Sequence, residues 1–266
     1  MPFNTHVPPT ALSPFVADAV GYGVPANPSG LHRGLPSRHL TLVIELRAPL
    51  RVAGLGRTVA AHGVVGGLHT APALIDASAP QEGLHYALSP LAASALLGAP
   101  AAELQGMAVD LEDVLGRSAR GLVERIADAK SWEQRFSVVD AFLIQRLGTR
   151  PTVADEVVEA WRLIFAAEGR VSVAGVAEHV GWSRRHLSER FRIVTGLTPK
   201  QAARIARFEV ARGMLASREQ PSLAQLAVEC GYADQPHLAR EWKSLAGCSV
   251  ATWLREELPF VQDNGT

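Results

Sequence analysis

The second half of the chain repeats one short pattern at an offset of fifty residues, and this repeat constrains the fold more than any other feature. Each copy begins with a serine, Ser172 or Ser222, whose side chain is suited to cap the start of a helix. Apolar residues follow at positions i, i+3, i+4 and i+7, which form one face of a short helix. A glycine then follows, Gly181 or Gly231, where the chain can turn in a left-handed conformation. The aligned apolar residues are Val173, Val176, Ala177 and Val180 in the first copy and Leu223, Leu226, Ala227 and Cys230 in the second.

A second helix is predicted after each glycine. Its apolar anchors are Leu187 and Phe191 in the first copy and, because the second copy gains one residue after the glycine, Leu238 and Trp242 in the second. A short helix, a tight turn and a second helix with apolar residues four apart describe a helix-turn-helix. One match would be weak evidence, because helical hairpins are common, but two in tandem with the same caps and turns favour DNA binding. A repeat of helical hairpins that binds protein is the structural alternative.

The second helix of each unit is predicted to carry polar side chains on the face opposite its anchors. In the first unit that face holds Arg185, Ser188, Glu189 and Arg192, and in the second it holds Pro236, Arg240 and Lys243. In the second unit Gln235 and His237 also lie in the first turn of this helix, and Asp234 is its expected N-cap. Arg can bind guanine bidentately, Gln can bind adenine, and Glu can accept from cytosine N4. The remaining basic side chains suit phosphates; the candidates are Arg184, Arg190, Arg192 and Lys243.

A single long helix is predicted between the two units. Thr198 is a candidate N-cap, and Pro199 suits the first helical position because no amide hydrogen is needed there. Roughly eighteen residues of helix span about 27 Å, which would hold the two units about one turn of DNA apart. Gly213 lies near the end of this segment and is either a tolerated glycine or a hinge. We expect a continuous helix from about Pro199 to Ala216.

At these residues the chain resembles the AraC/XylS family of bacterial transcriptional regulators. The resemblance covers roughly residues 155 to 257 and is carried by "VAEHVGWSRRHLSERFRIVTGLTPKQ", "RFEVARGML" and "LAVECGYADQPHLAREWKSLAGCSVATWL". It implies a C-terminal DNA-binding domain and a separate N-terminal domain that senses a ligand, dimerises, or both. It also implies that one group of side chains faces the bases: Arg185, Ser188, Glu189, Gln235, Pro236, His237 and Arg240.

The first half is predicted to be a small β-sheet or partly closed barrel with flanking helices, after a start in loops rich in Pro and Gly. "HLTLVIEL" and "GLHYALSP" alternate apolar residues at period two, as half-buried strands do. "HGVVGGLH" and "PALID" are weaker strand candidates, and helical spacing follows over residues 111–129. Ser131 and Gln134 then resemble a capping box at the start of a helix, which Gly148 can end; this helix either covers the sheet or forms a dimer interface. The fold class is therefore α+β, with a sensory or dimerisation domain at 1–150 and an all-α domain with two helix-turn-helix units at 151–266.

Composition narrows the function classes. The chain has no net formal charge, but residues 170–257 hold thirteen Lys and Arg against nine Asp and Glu. The N-terminus lacks the pattern of a signal peptide, and no apolar run reaches the roughly 18 residues of a membrane span, so we expect a cytoplasmic protein. We expect a sequence-specific transcription regulator that is not an enzyme, needs no cofactor or metal, and binds double-stranded DNA. The sequence leaves three further partners open. They are an unknown small-molecule effector, a second copy of the chain and, if the protein is an activator, RNA polymerase.

Several residues allow a second interpretation. Five histidines suggest a metal-dependent enzyme with an accessory DNA-binding region, but no His-x-His pair with a downstream Glu is present; they are His32, His39, His62, His69 and His85. Cys230 occupies the core position of Val180, so we expect it to be buried. Cys248 follows Gly247 in a turn, and we expect it to be exposed.

Overall fold

The computed structural model describes residues 3–147, 153–217 and 221–257, and in these segments a strand-rich region precedes a helical one. The strands are β1 (Phe3–His6), β2 (Val16–Val24), β3 (Leu31–Gly34), β4 (Leu40–Glu45), β5 (Leu50–Ala53), β6 (Val59–Ala61), β7 (Gly63–Gly66), β8 (Ala73–Asp76), β9 (Gln81–Leu88) and β10 (Ala108–Asp110). The helices are α1 (Ala93–Leu97), α2 (Leu111–Leu115), α3 (Arg117–Asp128), α4 (Trp132–Arg146), α5 (Asp155–Ala166), α6 (Val173–His179), α7 (Arg184–Thr195), α8 (Pro199–Ala216), α9 (Leu223–Glu229), α10 (Gln235–Ala246) and α11 (Val250–Glu256). Two short 3-10 helices, Pro90–Ala92 and Ala101–Leu104, flank α1. The predicted α+β fold class is confirmed.

The strands form two antiparallel sheets. One has the order β1-β2-β9-β4-β7-β10, and the other has the order β3-β8-β5-β6. The two strongest sequence predictions, β4 and β9, pair in register at the centre of the larger sheet. Their alternating residues point into the core, as period two requires: Leu40, Leu42, Ile44, Leu84, Tyr86 and Leu88 are almost completely buried.

The prediction that the chain begins in loops is wrong, because β1 and β2 form the edge of the larger sheet. Glycines in β2 misled the sequence interpretation. A side chain on Gly21 would overlap the indole ring of Trp132, so this glycine lets α4 approach the strand closely. The helical spacing over 111–129 was also only partly right, since Gly116 adopts a φ of +60° and divides that segment into α2 and α3.

Helix α4 lies on the larger sheet. Ser131 caps it by accepting a hydrogen bond from the backbone N–H of Gln134, but the side-chain oxygen of Gln134 accepts from Lys130 N–H rather than from Ser131. Phe136 is buried in the core, and Asp140 accepts one hydrogen bond from the Tyr86 hydroxyl of β9 and is bonded through its other oxygen to His6 of β1. Of the two roles predicted for this helix, covering the sheet is therefore observed. Gly148, the predicted end of this helix, lies outside the described residues, as does the predicted domain boundary between residues 150 and 151, so both stay predictions.

Both helix-turn-helix units pack on α8. Its first half, with Ile205 and Ala206, is buried in a core that continues into the N-terminal sheet, and its second half, with Phe208, Ala211 and Leu215, is buried in the core of the second unit. The helix is continuous from Pro199 to Ala216, as predicted, and Thr198 and Gln201 form a complete capping box at its start. Gly213 is exposed within it, and no neighbour lies within reach of an added Cβ.

Three Gly→Ala substitutions should have graded effects on the free energy of unfolding. Gly213→Ala should raise it by about 1 kcal/mol, because alanine is the better helix former and the space is open. Gly181→Ala should lower it by about 1–2 kcal/mol, because Gly181 has a φ of +73° but no close neighbour. Gly169→Ala should lower it by about 2–5 kcal/mol, because a φ of +72° is combined with overlap on the carbonyl of Ala203. Urea denaturation of the three variants measures this; a Gly169→Ala variant no less stable than Gly181→Ala would contradict the close approach at Gly169.

Candidate nucleic-acid interface

The turns of the two helix-turn-helix units are built in the same way. Gly181 and Gly231 have φ values of +73° and +74°. The backbone N–H of the next residue reaches back to the first helix in each unit: Trp182 donates to Ala177 O at 2.9 Å, and Tyr232 donates to Ala227 O at 2.8 Å. The small alanine at this position is buried in both units. The repeat found in the sequence is therefore a repeat of backbone geometry.

Capping side chains fix where the second helices begin. Ser183 accepts from His186 N–H at the start of α7, and Asp234 accepts from His237 N–H at 2.6 Å at the start of α10. Gly196 and Gly247, both with positive φ, end these two helices. The predicted role of Asp234 as N-cap is thus confirmed, and the caps set the orientation of both helices on their units.

The inner faces of α7 and α10 are anchored by aromatic contacts. Phe191 is completely buried and stacks on Trp161 of α5, with 5.7 Å between ring centroids. Trp242 is completely buried between Phe208 of α8 and Trp253 of α11, at 4.9 and 5.4 Å. These contacts leave only the opposite faces of α7 and α10 free to meet a ligand.

The residues predicted to face the bases lie on those opposite faces. Arg185, Glu189, Gln235, Pro236 and Arg240 are exposed, and Ser188 and His237 are half-buried. The side chains of Arg185, Glu189, Gln235 and Arg240 make no hydrogen bond or ion pair with any other described residue. A polar side chain without an internal partner is available to a base edge at little desolvation cost within the protein.

His237 differs from the other candidates because its ring is held in place. Its Nδ1 accepts a hydrogen bond from the backbone N–H of Ala233 at 3.3 Å, and its ring meets Tyr232 edge-on at 5.5 Å. A neutral imidazole that accepts at Nδ1 carries its proton at Nε2. His237 therefore presents a donor, which suits an acceptor on a base edge.

The predicted phosphate ligands are also unpaired. Arg184, Arg190, Arg192 and Lys243 are exposed and have no ionic partner within the part of the chain that the structure describes. Two arginines of α8 behave differently: Arg204 pairs with Glu241 at 2.6 Å, and Arg207 donates to Gly169 O at 2.7 Å. The sequence did not distinguish the unpaired basic residues of α7 and α10 from the paired arginines of α8, because Glu241 and Gly169, which pair with those arginines, are distant from them in the chain.

The two cysteines are both buried. Cys230 lies 3.7 Å from the sulfur of Met214, and burial raises the pKa of its thiol to about 11. The expectation that Cys248 is exposed is wrong, because Gly247 lies directly against Pro72 of the N-terminal region, which covers the turn. Burial also raises the pKa of the Cys248 thiol, so neither thiol has the low pKa and exposure of a reactive cysteine.

The five histidines do not form a metal site among the described residues, although His85 lies within electrostatic range of both His39 and His32. His32 is bonded to Glu257, and His62 and His69 bond to backbone carbonyls. Burial lowers the pKa of His39 to about 4 and also lowers that of His85. Among the described residues, no group of three or more His, Cys, Asp or Glu side chains could hold a metal ion.

Two helix-turn-helix units, whose second helices α7 and α10 expose basic and amide side chains without a partner among the described residues, define a DNA-binding transcription regulator. Residues 176–256 match the family model described as a helix-turn-helix domain. The C-terminal region is an AraC-type helix-turn-helix domain, and the predicted resemblance to AraC/XylS regulators is confirmed. The domain match favours a transcription regulator over the metal-dependent enzyme that the histidines suggested.

Solved structures show that the fold of the whole chain occurs elsewhere. The chain is similar to ToxT from Vibrio cholerae O395, with 11% identity, a TM-score of 0.52, and coverage of 96% of this chain and 98% of that one. It is also similar to wild-type ToxT from V. cholerae strain SCE256 with unsaturated fatty acid bound, with 10% identity, a TM-score of 0.52, and coverage of 94% of this chain and 97% of that one. No curated protein matches the chain by sequence. No helix in the described segments is both long and apolar enough to cross a membrane.

Substitutions on the two faces of α7 should have different consequences. Arg185→Ala should cost about 1–3 kcal/mol of DNA-binding free energy and relax preference at one or two base pairs, because it removes an exposed base ligand. Leu187→Ala should lower the free energy of unfolding by about 2–5 kcal/mol, because Leu187 is completely buried. Binding selection on random DNA and thermal unfolding measure the two effects. A Leu187→Ala protein that melts like the parent but loses sequence preference would show that the two faces are assigned the wrong way round.

Proposed function

We propose that the chain regulates transcription by binding a specific DNA sequence, with α7 and α10 in two successive major-groove segments and the N-terminal domain as modulator. The observation that carries the proposal is the pair of outer faces on α7 and α10, where Arg185, Glu189, Gln235 and Arg240 have no side-chain partner among the described residues and the ring of His237 is held with its Nε2 unbonded. Each inner face is fixed by buried aromatic residues, so the outer side chains project from rigid helices. Rigid presentation is what direct readout of base edges requires.

The side chains on these faces suit different bases. Arg185 and Arg240 can each donate two hydrogen bonds to O6 and N7 of guanine, and Gln235 can pair with adenine. Glu189 can accept from N4 of cytosine, and the Nε2–H of His237 can donate to N7 or O6 of guanine, N7 of adenine, or O4 of thymine. Ser188 and Pro236 complete the predicted base-facing set through a hydroxyl and an apolar contact.

Four cations are assigned to phosphates: Arg184, Arg190, Arg192 and Lys243. Phosphate contacts release condensed counterions, so the logarithm of the binding constant should fall by about 0.9 per contact for each tenfold rise in salt. These contacts position the two helices without distinguishing sequences.

The N-terminal domain can act on DNA binding because it is joined to both units. The core of the first unit continues into the N-terminal sheet. The second unit is held through Glu257, whose fully buried carboxylate accepts from Arg33 N–H and Arg33 Nη1 at 3.0 Å and is bonded to His32 at 2.8 Å. Arg38 adds a bond from its Nε to Glu209 of α8 at 2.7 Å. We propose that an effector of the N-terminal domain acts through these contacts.

The partners beyond DNA stay open. ToxT has been solved with an unsaturated fatty acid bound, which supports a small-molecule effector for a chain of this fold. Further candidate partners are a second copy of the chain and, if the protein activates transcription, RNA polymerase. A regulator of transcription is expected to lie in the cytoplasm.

Binding selection on random DNA, followed by titration at several salt concentrations, tests the proposed function. Lys243→Ala should weaken binding to all sequences about equally and reduce the salt slope by about 1, because it removes one phosphate contact. Arg240→Ala, one turn away on the same exposed face, should instead relax preference at one position of the selected site. Selection that recovers no enriched sequence, with folded protein, would overturn the proposed function.

A further inference from the structure

The turn between α5 and α6 contacts both helix-turn-helix units. We infer that this turn, residues 168–170, together with Arg207 of α8, forms an inter-unit brace that sets the distance and angle between α7 and α10, and so the spacing of the two DNA segments that they bind. Arg170 and Arg207 are then positioning residues for DNA recognition. The inference rests on the proposed function, because spacing matters only if both helices bind one DNA site.

The brace is fixed to α8 by close packing. Gly169 is buried, has a φ of +72°, and lies so near the carbonyl of Ala203 that no side chain would fit. Arg207 donates from Nη1 to Gly169 O at 2.7 Å. Of the described residues, Glu168 is the only non-glycine one with a positive φ, at 54°. Such a conformation persists when the surrounding contacts determine it, and here the turn is bonded to both α5 and α8.

The same turn reaches the second unit through Arg170. Arg170 Nη1 donates to the backbone carbonyl of Glu229 at 3.1 Å. Glu229 is the last residue of α9, where carbonyl groups lack partners within the helix and a cation is favourable. The carbon chain of Arg170 also lies against Gly231, in the turn of the second unit.

Arg207 contacts both units. Its guanidinium donates to Gly169 in the turn that leads into the first unit, and it lies 5.7 Å from the centre of the Tyr232 ring in the second. Its methylene chain lies against both Gly169 and Gly231. Neighbouring Arg204 pairs with Glu241 and thereby fixes α10 on α8. The second unit is consequently held to the first by contacts beside α8 as well as by α8 itself.

A side connection changes what α8 can determine. A helix alone fixes separation along its axis, but bending and twisting at its ends would let the second unit tilt. Arg170 and Arg207 also contact the turn between α9 and α10 in the second unit. These contacts give the second unit a further attachment beside α8 and so restrict its tilt. Because successive major-groove segments recur every 34–36 Å, a fixed tilt should restrict the protein to one spacing of its two half-sites.

The experiment compares the parent chain with Arg170→Ala, Arg207→Met and the double variant. Arg207→Met keeps the carbon chain and removes the donors, and Arg207→Lys restores a cation with donors. The control is Arg162→Ala, because Arg162 is similarly exposed and pairs with Glu159 but has no hydrogen bond or ion pair to any described residue of the second unit. Each protein is selected on DNA that carries both half-sites at variable spacing. We expect the parent, the control and Arg207→Lys to select one spacing, and the double variant to select several and to bind the parent spacing about threefold to tenfold more weakly.

A second measurement needs no DNA. Spin labels on Ile193→Cys of α7 and Ser244→Cys of α10, both exposed positions, report the distance between the two helices by pulsed electron paramagnetic resonance. A distance distribution that widens in Arg170→Ala and Arg207→Met, but not in Arg162→Ala, supports the brace. Unchanged spacing and an unchanged distance distribution in folded Arg170→Ala and Arg207→Met would overturn it, even if DNA binding stayed specific. A parent with a narrow distance distribution that binds no DNA would instead overturn the proposed function and leave the brace with no role in recognition.

Discussion

The arrangement of the whole molecule depends on the burial of α8 on two sides. A helix can be covered by two separate units only if small residues let them approach, and α8 supplies Ala203, Ala206 and Ala211 for this purpose. Its larger residues divide between two cores: Ile205 enters the core shared with the N-terminal sheet, and Phe208 enters the core of the second unit. Since each core removes apolar surface from water, the two units are stabilised on one common helix. The positions of α7 and α10, and therefore of every candidate DNA ligand, follow from this arrangement.

The N-terminal region is a structural part of the DNA-binding apparatus. It shares a core with the first unit, and it holds the second through the buried carboxylate of Glu257. Removing one partner from a buried ion pair leaves a charge without compensation and costs several kcal/mol. A change in the N-terminal region that moved Arg33 would therefore disturb the second unit. This would give the proposed effector a physical route to the DNA-binding helices without direct contact between effector and DNA.

The sequence predicted the repeated elements well because their signals are local. The caps at Ser172, Ser222 and Asp234 and the turns at Gly181 and Gly231 depend on residues within one or two helical turns, and they formed as expected. The outer faces of α7 and α10 followed from helical periodicity in the same way. The particular roles of their side chains on DNA stay predictions.

The features that the sequence did not predict depend on contacts between distant residues. Gly21 in β2 suggested a loop, but its role is to admit Trp132, more than a hundred residues away. Cys248 looked exposed until Pro72 was seen to cover its turn. Arg207 is bonded to Gly169 and lies near Tyr232, and neither partner is close to it in the sequence. No local pattern carries such information, since each partner is supplied by the tertiary fold.

Methylation interference on a selected DNA site tests most directly the claim that one chain binds two successive major-groove segments. Methyl groups at N7 of guanine project into the major groove and block side chains that bind there. The account predicts two windows of interference, centred about 10–10.5 base pairs apart on one face of the duplex, and one window should weaken in Arg185→Ala and the other in Arg240→Ala. A single window, or two windows about half a turn out of phase, would contradict it.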